Sequence, residues 1–312
     1  MDYHIIGDIH GQADKLEALL QHLGYRQQQG VYQQPGARVV FLGDFIDRGP
    51  HQRRVIDIVR PMVEQGHALA VMGNHEFNAI GYHTRHPETA EPLRTHGGKN
   101  TVQHQRFLDE YGLHEDETRS VIQWFKTLPI YLEVKDSQGG VLFRAVHACW
   151  SRPVIARVPR HLDDDDIVEA STRGKQTYED IEVLLKGPEV PLPEGMSFLD
   201  KDGNPRHNIR IKWWNAGGPV SYRDIAMVPE GEEGELPATF IEDSQLGQYR
   251  YDPTEPPVFF GHYWLTGKPS LIGANLACLD YSAGKGGALV AYHWKTGDTG
   301  SLSSERFVTT VG

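Results

Sequence analysis

A chain of 312 residues, 39% hydrophobic and 10% aromatic, holds enough apolar material for a folded core and is excluded from the disordered class. Its 31 Lys plus Arg against 42 Asp plus Glu leave a formal charge of −11, which argues against a broad grip on a nucleic-acid backbone but allows a local anion site. Two cysteines, Cys149 and Cys278, exclude a disulfide framework, and no stretch approaches the roughly 18 apolar residues of a membrane span, so a cytoplasmic protein without a membrane partner is expected.

Residues 3–6 (YHII) predict a strand that ends at Gly7, and QADKLEALLQHLG then places Leu16, Leu19, Leu20 and Leu23 on one face of a helix. The Gln-rich segment 27–34 reads as a solvated loop. RVVFL at 38–42 is a second, buried strand, followed by a helix with Val55, Ile58, Val59 and Met62 in one stripe and Pro61 near its end. ALAVM at 68–72 is a third strand, and this alternation implies right-handed crossovers and a largely parallel sheet. Residues 78–104 follow neither period and read as an active-site loop or cap, with helices at 101–111 and 118–127 after it. YLEVKD and VLFRAV then flank SQGG as a strand pair. The segment 151–257 reads as an insertion. It holds the acidic run Asp163 to Asp166 as a solvated loop or helix start, a helix around YEDIEVLLKG, the alternating NIRIKWWN and a Pro/Gly/Glu-rich stretch at 228–237. Strands return in VFFG, ANLACLDY and GALVAYHW, with SAGKGG as the last turn, so the expectation is one domain over 1–312 with insertions at about 78–104 and 151–257.

Three loops stand directly after predicted buried strands: GDIHG (7–11), GDFIDRG (43–49) and GNHE (73–76). In open parallel sheets the loops beyond the strands' carboxyl ends converge on one crevice, so Asp8, His10, Asp44, Asp47, Arg48, Asn74 and His75 are expected to meet. Helix capping does not require all of them, and burying so many ionisable groups without a cation is costly, which points to a divalent-metal site. His147 in VHACW and His262 in GHYW follow two further strands. Cys149 reads as a small buried residue beside the site, Trp213 and Trp214 as core or wall, and the remaining histidines, including His83, His86, His96 and His104, as loop or surface residues.

These five motifs in this order resemble the phosphoprotein phosphatase (PPP) family of calcineurin-like metallophosphoesterases, over about 1–150 and 255–295. The resemblance implies an α/β fold, an αββα sandwich of central mixed sheets flanked by helices, with a dinuclear metal site at the strands' carboxyl ends. It implies Asp8, His10 and Asp44 on one metal and Asp44, Asn74, His147 and His262 on the other, with Asp44 bridging. A carboxylate has two oxygens to share between neighbouring cations, whereas an imidazole or an amide oxygen serves one. Oxygen and nitrogen donors without thiolate leave the metal open among manganese, iron, zinc, cobalt and nickel and disfavour a purely magnesium or calcium site, and manganese is the ion expected first. By the same resemblance a metal-activated hydroxide attacks phosphorus, Arg48 faces the phosphoryl oxygens, and His75, oriented by Asp47, protonates the leaving group. A second phosphate-binding arginine is expected from Arg173, Arg210 or Arg223, with Arg210 preferred because NIRIKWWN alternates like a strand.

The expected partner is therefore a phosphorylated substrate, small molecule or phosphoprotein. Asp47 and Glu76 depart from the symmetrical bacterial dinucleoside tetraphosphatases, which typically lack that Asp and end the third motif in GNHD. This ranks phosphomonoesters first, phosphoprotein Ser/Thr among them, and bis(5'-nucleosyl)-tetraphosphate-like phosphoanhydrides second. LIGANLACLDYSAGKGG stands where protein phosphatases often carry a SAPNY-like stretch, which weakens the protein-substrate expectation. A non-catalytic, metal-stabilised binding module ranks last, because it predicts eroded ligands or loss of Arg48 or His75.

Overall fold

The computed structural model describes residues 1–199, 205–228, 236–298 and 301–309. In chain order its strands are β1 (Asp2–Ile6), β2 (Arg26–Gln28), β3 (Val31–Gln33), β4 (Ala37–Phe41), β5 (Ala68–Ala70), β6 (Tyr131–Lys135), β7 (Val141–Val146), β8 (Glu189–Pro191), β9 (Phe198–Leu199), β10 (Pro205–Arg206), β11 (Asn208–Arg210), β12 (Val258–Phe260), β13 (Leu276–Cys278), β14 (Val290–Trp294) and β15 (Phe307–Thr309). The helices used below are α1 (Ala13–His22), α2 (Gln52–Glu64), α3 (Asn74–His83), α4 (Gly98–Tyr111), α5 (Asp116–Lys126), α6 (Arg152–Ile155), α7 (Asp164–Ala170) and α8 (Gln176–Lys186).

Two mixed sheets lie face to face, one of order β15-β14-β1-β4-β5 and one of order β13-β12-β7-β6. The parallel run β1-β4-β5 is the one the strand–helix alternation implies, and β14 closes it on the other side of β1 as an antiparallel neighbour. Because side chains alternate across a strand, Tyr3 and Ile5 point to the second sheet and pack with Phe143, Phe259 and Trp294, while Ile6 joins Leu16, Leu20 and Val59 on the helical side. Leu184 and Leu185 of α8 belong to the same buried cluster as Val146 and Phe260, so the second sheet has its own helical cover. The result is helix, sheet, sheet, helix. Residues Val190, Ile209, Ile211 and Trp213 enter that cluster too, which ties much of the segment 151–257 into the common core.

Several local expectations change. The Gln-rich segment 27–34 is a β2–β3 hairpin whose Val31 and Tyr32 are buried, because two adjacent apolar residues suffice to seat it on the core. The irregular stretch is shorter than 78–104: α3 runs to His83 and α4 starts at Gly98, leaving 84–97 without a helix. Asn74, His75 and Glu76 of α3 are buried along with Phe77, Ala79, Ile80 and Tyr82, so polar residues do not mark a solvent face and no amphipathic period can be read. The acidic run is a helix start, with Asp163 and Asp166 each accepting the other's backbone N–H. SAGKGG carries the chain from β13 in one sheet to β14 in the other. The Pro/Gly/Glu-rich stretch 228–237 lies outside the described residues apart from Val228, Leu236 and Pro237.

Candidate dinuclear metal centre

The carboxyl ends of β1, β4, β5, β7 and β12 open on one cleft, and their loops are tied backbone to backbone. Ile9 and His10 N–H donate to the Asp44 carbonyl and Gly11 N–H to that of Phe45. A Cβ on Gly43, where φ is +89°, would lie 2.4 Å from Gly73 N, so only glycine lets the second and third loops approach this closely. Buried Glu76 fastens the same two loops, accepting N–H bonds from Asp44 (2.7 Å), Phe45 (2.8 Å) and Gly73 (3.0 Å). Backbone strain concentrates here: His10, Asp44, Asp47, Arg48, His262 and Trp264 all have positive φ, between 37° and 71°. Such conformations persist only where surrounding contacts over-determine them, as at sites that hold side chains in a set geometry.

All six expected metal ligands meet in this cleft. His10 Nε2 and His147 Nε2 each lie 3.5 Å from Asp44 Oδ2. Asn74 Oδ1 is 3.0 Å from His147 Nε2 and 2.8 Å from His262 Nδ1. Two donor groups result, His10–Asp44–His75 and Asp44–His147–His262, with Asp44 shared. The third histidine of the first group, His75, also bonds Asp47, which fits the acid role better than ligation. Asp8 accepts the His262 N–H at 3.1 Å.

The chemistry of this donor set fits cations. His147 Nδ1 faces the Leu42 carbonyl at 2.7 Å and His10 Nδ1 that of Ile46 at 3.0 Å. A carbonyl only accepts, so both rings carry a proton on Nδ1 and turn Nε2 inward, the outer-atom arrangement that orients metal-binding imidazoles. Inside they meet carboxylate and amide oxygens, which also only accept. Without a cation His147 takes up a proton instead: burial opposes its charge, but Asp44 and Asp8 push it up to about 10. Burial and the neighbouring Asp280 carboxylate push Asp8 well above the usual range. Burial also pushes up Asp44, yet His147, His75 and His10 hold it well below the usual range. Burial pushes His10 down to about 3, the unprotonated state a ligand needs. The site thus draws positive charge to its centre, where a divalent pair would sit.

Beside it, His75 Nδ1 lies 2.6 Å from Asp47 Oδ2. Burial opposes a proton on His75, while Asp44 and Asp47 together raise its pKa. Arg48 is exposed on the cleft wall, and among the described residues no ion pair joins it to Asp47. Of the three candidate arginines, Arg210 reaches the centre, with Nη1 3.3 Å from His262 Nε2 and Nη2 3.2 Å from Glu189 Oε1. Its buried Nε has no partner. Arg173 lines the same cleft farther out, whereas Arg223 donates to the Leu236 carbonyl. Cys149 and Trp213 are buried, and Trp214 packs against Phe260 and Tyr263 as a wall.

Three residues escape the motif reading. His104, expected at the surface, is buried and places Nδ1 3.0 Å from Asp47 Oδ1. It lies on α4 with no motif around it, so only the fold reveals it. Asp280 is buried, accepting N–H bonds from Trp264 (2.7 Å) and Ser282 (2.9 Å). It follows the strand LACL, the same polar-after-strand signal that found the others. Glu76 was read only as the wording of its motif, and its carboxylate turns out to join the loops.

The model for the calcineurin-like phosphoesterases matches residues 1–191. The chain belongs to the calcineurin-like phosphoesterase family. The family uses divalent metals, and the two donor groups of this cleft are of the kind that could hold them. Among curated relatives the chain is 37% identical over 136 residues to the asymmetrical bis(5'-nucleosyl)-tetraphosphatase PrpE of Halalkalibacterium halodurans, covering 42% of this chain and 52% of the relative. It is 38% identical over 136 residues to PrpE of Bacillus subtilis, with the same coverages. The chain spans about half the length of the curated relatives it matches. Among solved structures, a serine/threonine protein phosphatase of Saccharomyces cerevisiae aligns with a TM-score of 0.52 and 14% identity, over 99% of this chain and 79% of that one. A cold-active protein tyrosine phosphatase aligns at 0.50 and 16%, over 93% and 73%. At these identities the two structures speak for the calcineurin-like fold.

Proposed function

We propose that this metallophosphoesterase hydrolyses phosphoanhydride bonds of nucleoside polyphosphates, dinucleoside tetraphosphates among them, as a cytoplasmic enzyme loaded with two divalent cations, manganese the first choice. The observation that carries this reading is the charge of the cleft. Its volume is about 1060 Å³, and nine Lys and Arg side chains line it, Arg48, Arg173, Arg206 and Arg210 among them. Apart from Asp8, Asp44 and Asp280 at the centre, only Glu179, Asp180, Glu182 and Glu189 oppose them, a surplus of five positive charges in a chain of net −11. One phosphoryl group at the metals does not need cations spread along the whole wall, whereas a polyphosphate presents charge on every phosphorus. The asymmetrical tetraphosphatases among the relatives support the same substrate class and raise it above the monoesters that the motif wording ranks first. No helix among the described residues is long and apolar enough to cross a membrane.

Two divalent cations, when bound, supply a nucleophile at neutral pH by lowering the pKa of water and neutralise charge on the phosphoryl group. The protein's own part begins with Asp8, His10, Asp44, Asn74, His147 and His262, which hold them. Arg48 and Arg210 donate to the phosphoryl oxygens, where a planar fork can make two bonds at once. His75 delivers a proton from Nε2 to the leaving oxygen, while Asp47 keeps Nδ1 protonated and the ring in place. A complete acid pair, 2.6 Å between His75 and Asp47, favours a second reading, since alkoxide leaving groups of monoesters depend most on protonation.

The test is kcat/KM for diadenosine tetraphosphate, nucleoside triphosphates, phosphopeptides and small monoesters with one metal. An advantage of about tenfold or more for the polyphosphates, worth about 1.4 kcal/mol of transition-state stabilisation, is expected. The reverse order would replace this reading with the monoester one.

A further inference from the structure

The hydrogen-bonded chain behind the acid does not stop at Asp47. His104 Nδ1 lies 3.0 Å from Asp47 Oδ1, the oxygen that His75 leaves open, and His104 Nε2 lies 3.1 Å from His83 Nε2. His83 Nδ1 in turn faces the Leu113 carbonyl at 3.2 Å. The series His75, Asp47, His104, His83, Leu113 thus runs from the cleft into the seam between α3 and α4. Its members are held by packing as well. The His104 ring stacks on Phe107, centroids 4.7 Å apart and planes at 15°, and meets Tyr82 at 5.2 Å.

The two ends of this series fix where its protons lie. A carboxylate and a carbonyl only accept, so His104 Nδ1 and His83 Nδ1 both donate. If both rings were neutral, two lone pairs would face each other across 3.1 Å between the Nε2 atoms. The contact is a hydrogen bond only when the pair holds one further proton. Burial, with His104 alongside, pushes His83 down to about 4, and whichever ring carries the further proton, His104 Nδ1 faces the Asp47 carboxylate as a donor. The other titratable groups around the pair are His75 beyond Asp47, Tyr82 on α3, and the exposed His96 and His114.

We propose that His104 is a positioning residue for the leaving-group acid, donating through Nδ1 to the Asp47 oxygen opposite His75 and so fixing the carboxylate that orients the His75 ring. This rests on the reading of His75 as proton donor. A carboxylate bonded on both oxygens cannot rotate about its Cβ–Cγ axis, so Oδ2 stays on His75 Nδ1 through turnover. His104 never touches substrate. It acts on the rate through Asp47.

The experiment compares metal-loaded wild-type enzyme with His104→Leu, His104→Asn and His75→Asn on aryl phosphates from 4-nitrophenyl to phenyl phosphate. His104→Leu should lose about tenfold more kcat/KM on phenyl than on 4-nitrophenyl phosphate, because only the poor leaving group needs the acid. Asparagine, which keeps an N–H near the Nδ1 position, should return the phenyl phosphate rate to within about threefold of wild type. Equal losses on all substrates, or none, in His104→Leu would overturn the proposal. A His75→Asn variant without leaving-group dependence would instead overturn the acid reading beneath it. Nitrogen-15 spectra of zinc-loaded wild-type protein decide the matter even if the leucine variant does not fold: a proton on His104 Nδ1 is expected, and a bare Nδ1 refutes it.

Discussion

Removing the divalent cations with a chelator should destabilise this protein far more at pH 8 than at pH 5. Without cations, Asp8, Glu76 and Asp280 lie buried around Asp44, and burial, reinforced by the carboxylates' repulsion, raises all three, Glu76 to about 7. An unfolded glutamate releases its proton near 4.5. Between those values the unfolded chain has lost a proton that the folded one keeps, so stability falls as pH rises and levels off above about 7. At about 1.4 kcal/mol per pH unit, Glu76 alone removes about 3 kcal/mol between pH 5 and 8. His147 acts in the same direction: its folded value of about 10 lies above the 6.5 of a free imidazole, so its contribution is complete below 6.5 and is lost as pH rises through 10. Asp44, held low, matters only in acid, where its contribution is lost as pH falls. At about 2.1 cal/mol/K of unfolding entropy per residue, about 3 kcal/mol in a chain of 312 residues corresponds to about 5 °C in Tm. Bound cations would take the place of the His147 proton and neutralise the carboxylates, flattening the dependence. Calorimetry with and without chelator at pH 5, 6.5 and 8, at fixed ionic strength, measures this. A chelated protein whose Tm stays level or rises from pH 5 to 8 refutes the reasoning.

Arg48→Ala should weaken inhibition by inorganic phosphate about tenfold with bound metal unchanged, and an unaltered inhibition constant would remove Arg48 from phosphoryl binding. Arg210→Ala, which takes away a guanidinium beside His262, should raise KM for polyphosphates about tenfold; a change confined to kcat would contradict a binding role. Glu76→Gln turns an amide NH2 toward at least one of the three N–H groups that the carboxylate accepts, and urea unfolding at pH 8 should read about 1 to 3 kcal/mol of lost stability. No loss would mean that Glu76 does not join the loops.

The βα core and the ligands were legible because short, mostly apolar strands stop abruptly, at a glycine after β1, β4, β5 and β12 and without one after β7, and the residues that follow are types that burial without a cation disfavours. Asp8, Asp44 and Asn74 announce themselves that way, and so would Asp280 after LACL. What was hidden has no local signature. His104 reaches Asp47 from 57 positions away, across the α3–α4 seam, and its neighbours in sequence are those of an ordinary surface helix. The α3 helix has no counterpart in the sequence reading because its polar Asn74, His75 and Glu76 are buried along with its apolar residues, and the β2–β3 hairpin is masked by glutamines around Val31 and Tyr32. Substrate class was legible least, since it depends on cations that α8, the strands after it and α4 bring to one wall from far apart in the chain.

The account rests on two cations joined by Asp44, and elemental analysis of the active enzyme beside its Asp44→Asn variant tests that most directly. Two divalent ions per chain are expected in the active protein, with the variant folded, inactive and short of its metal. One ion or none in fully active enzyme, or an Asp44→Asn variant that turns over like wild type, would contradict the dinuclear centre.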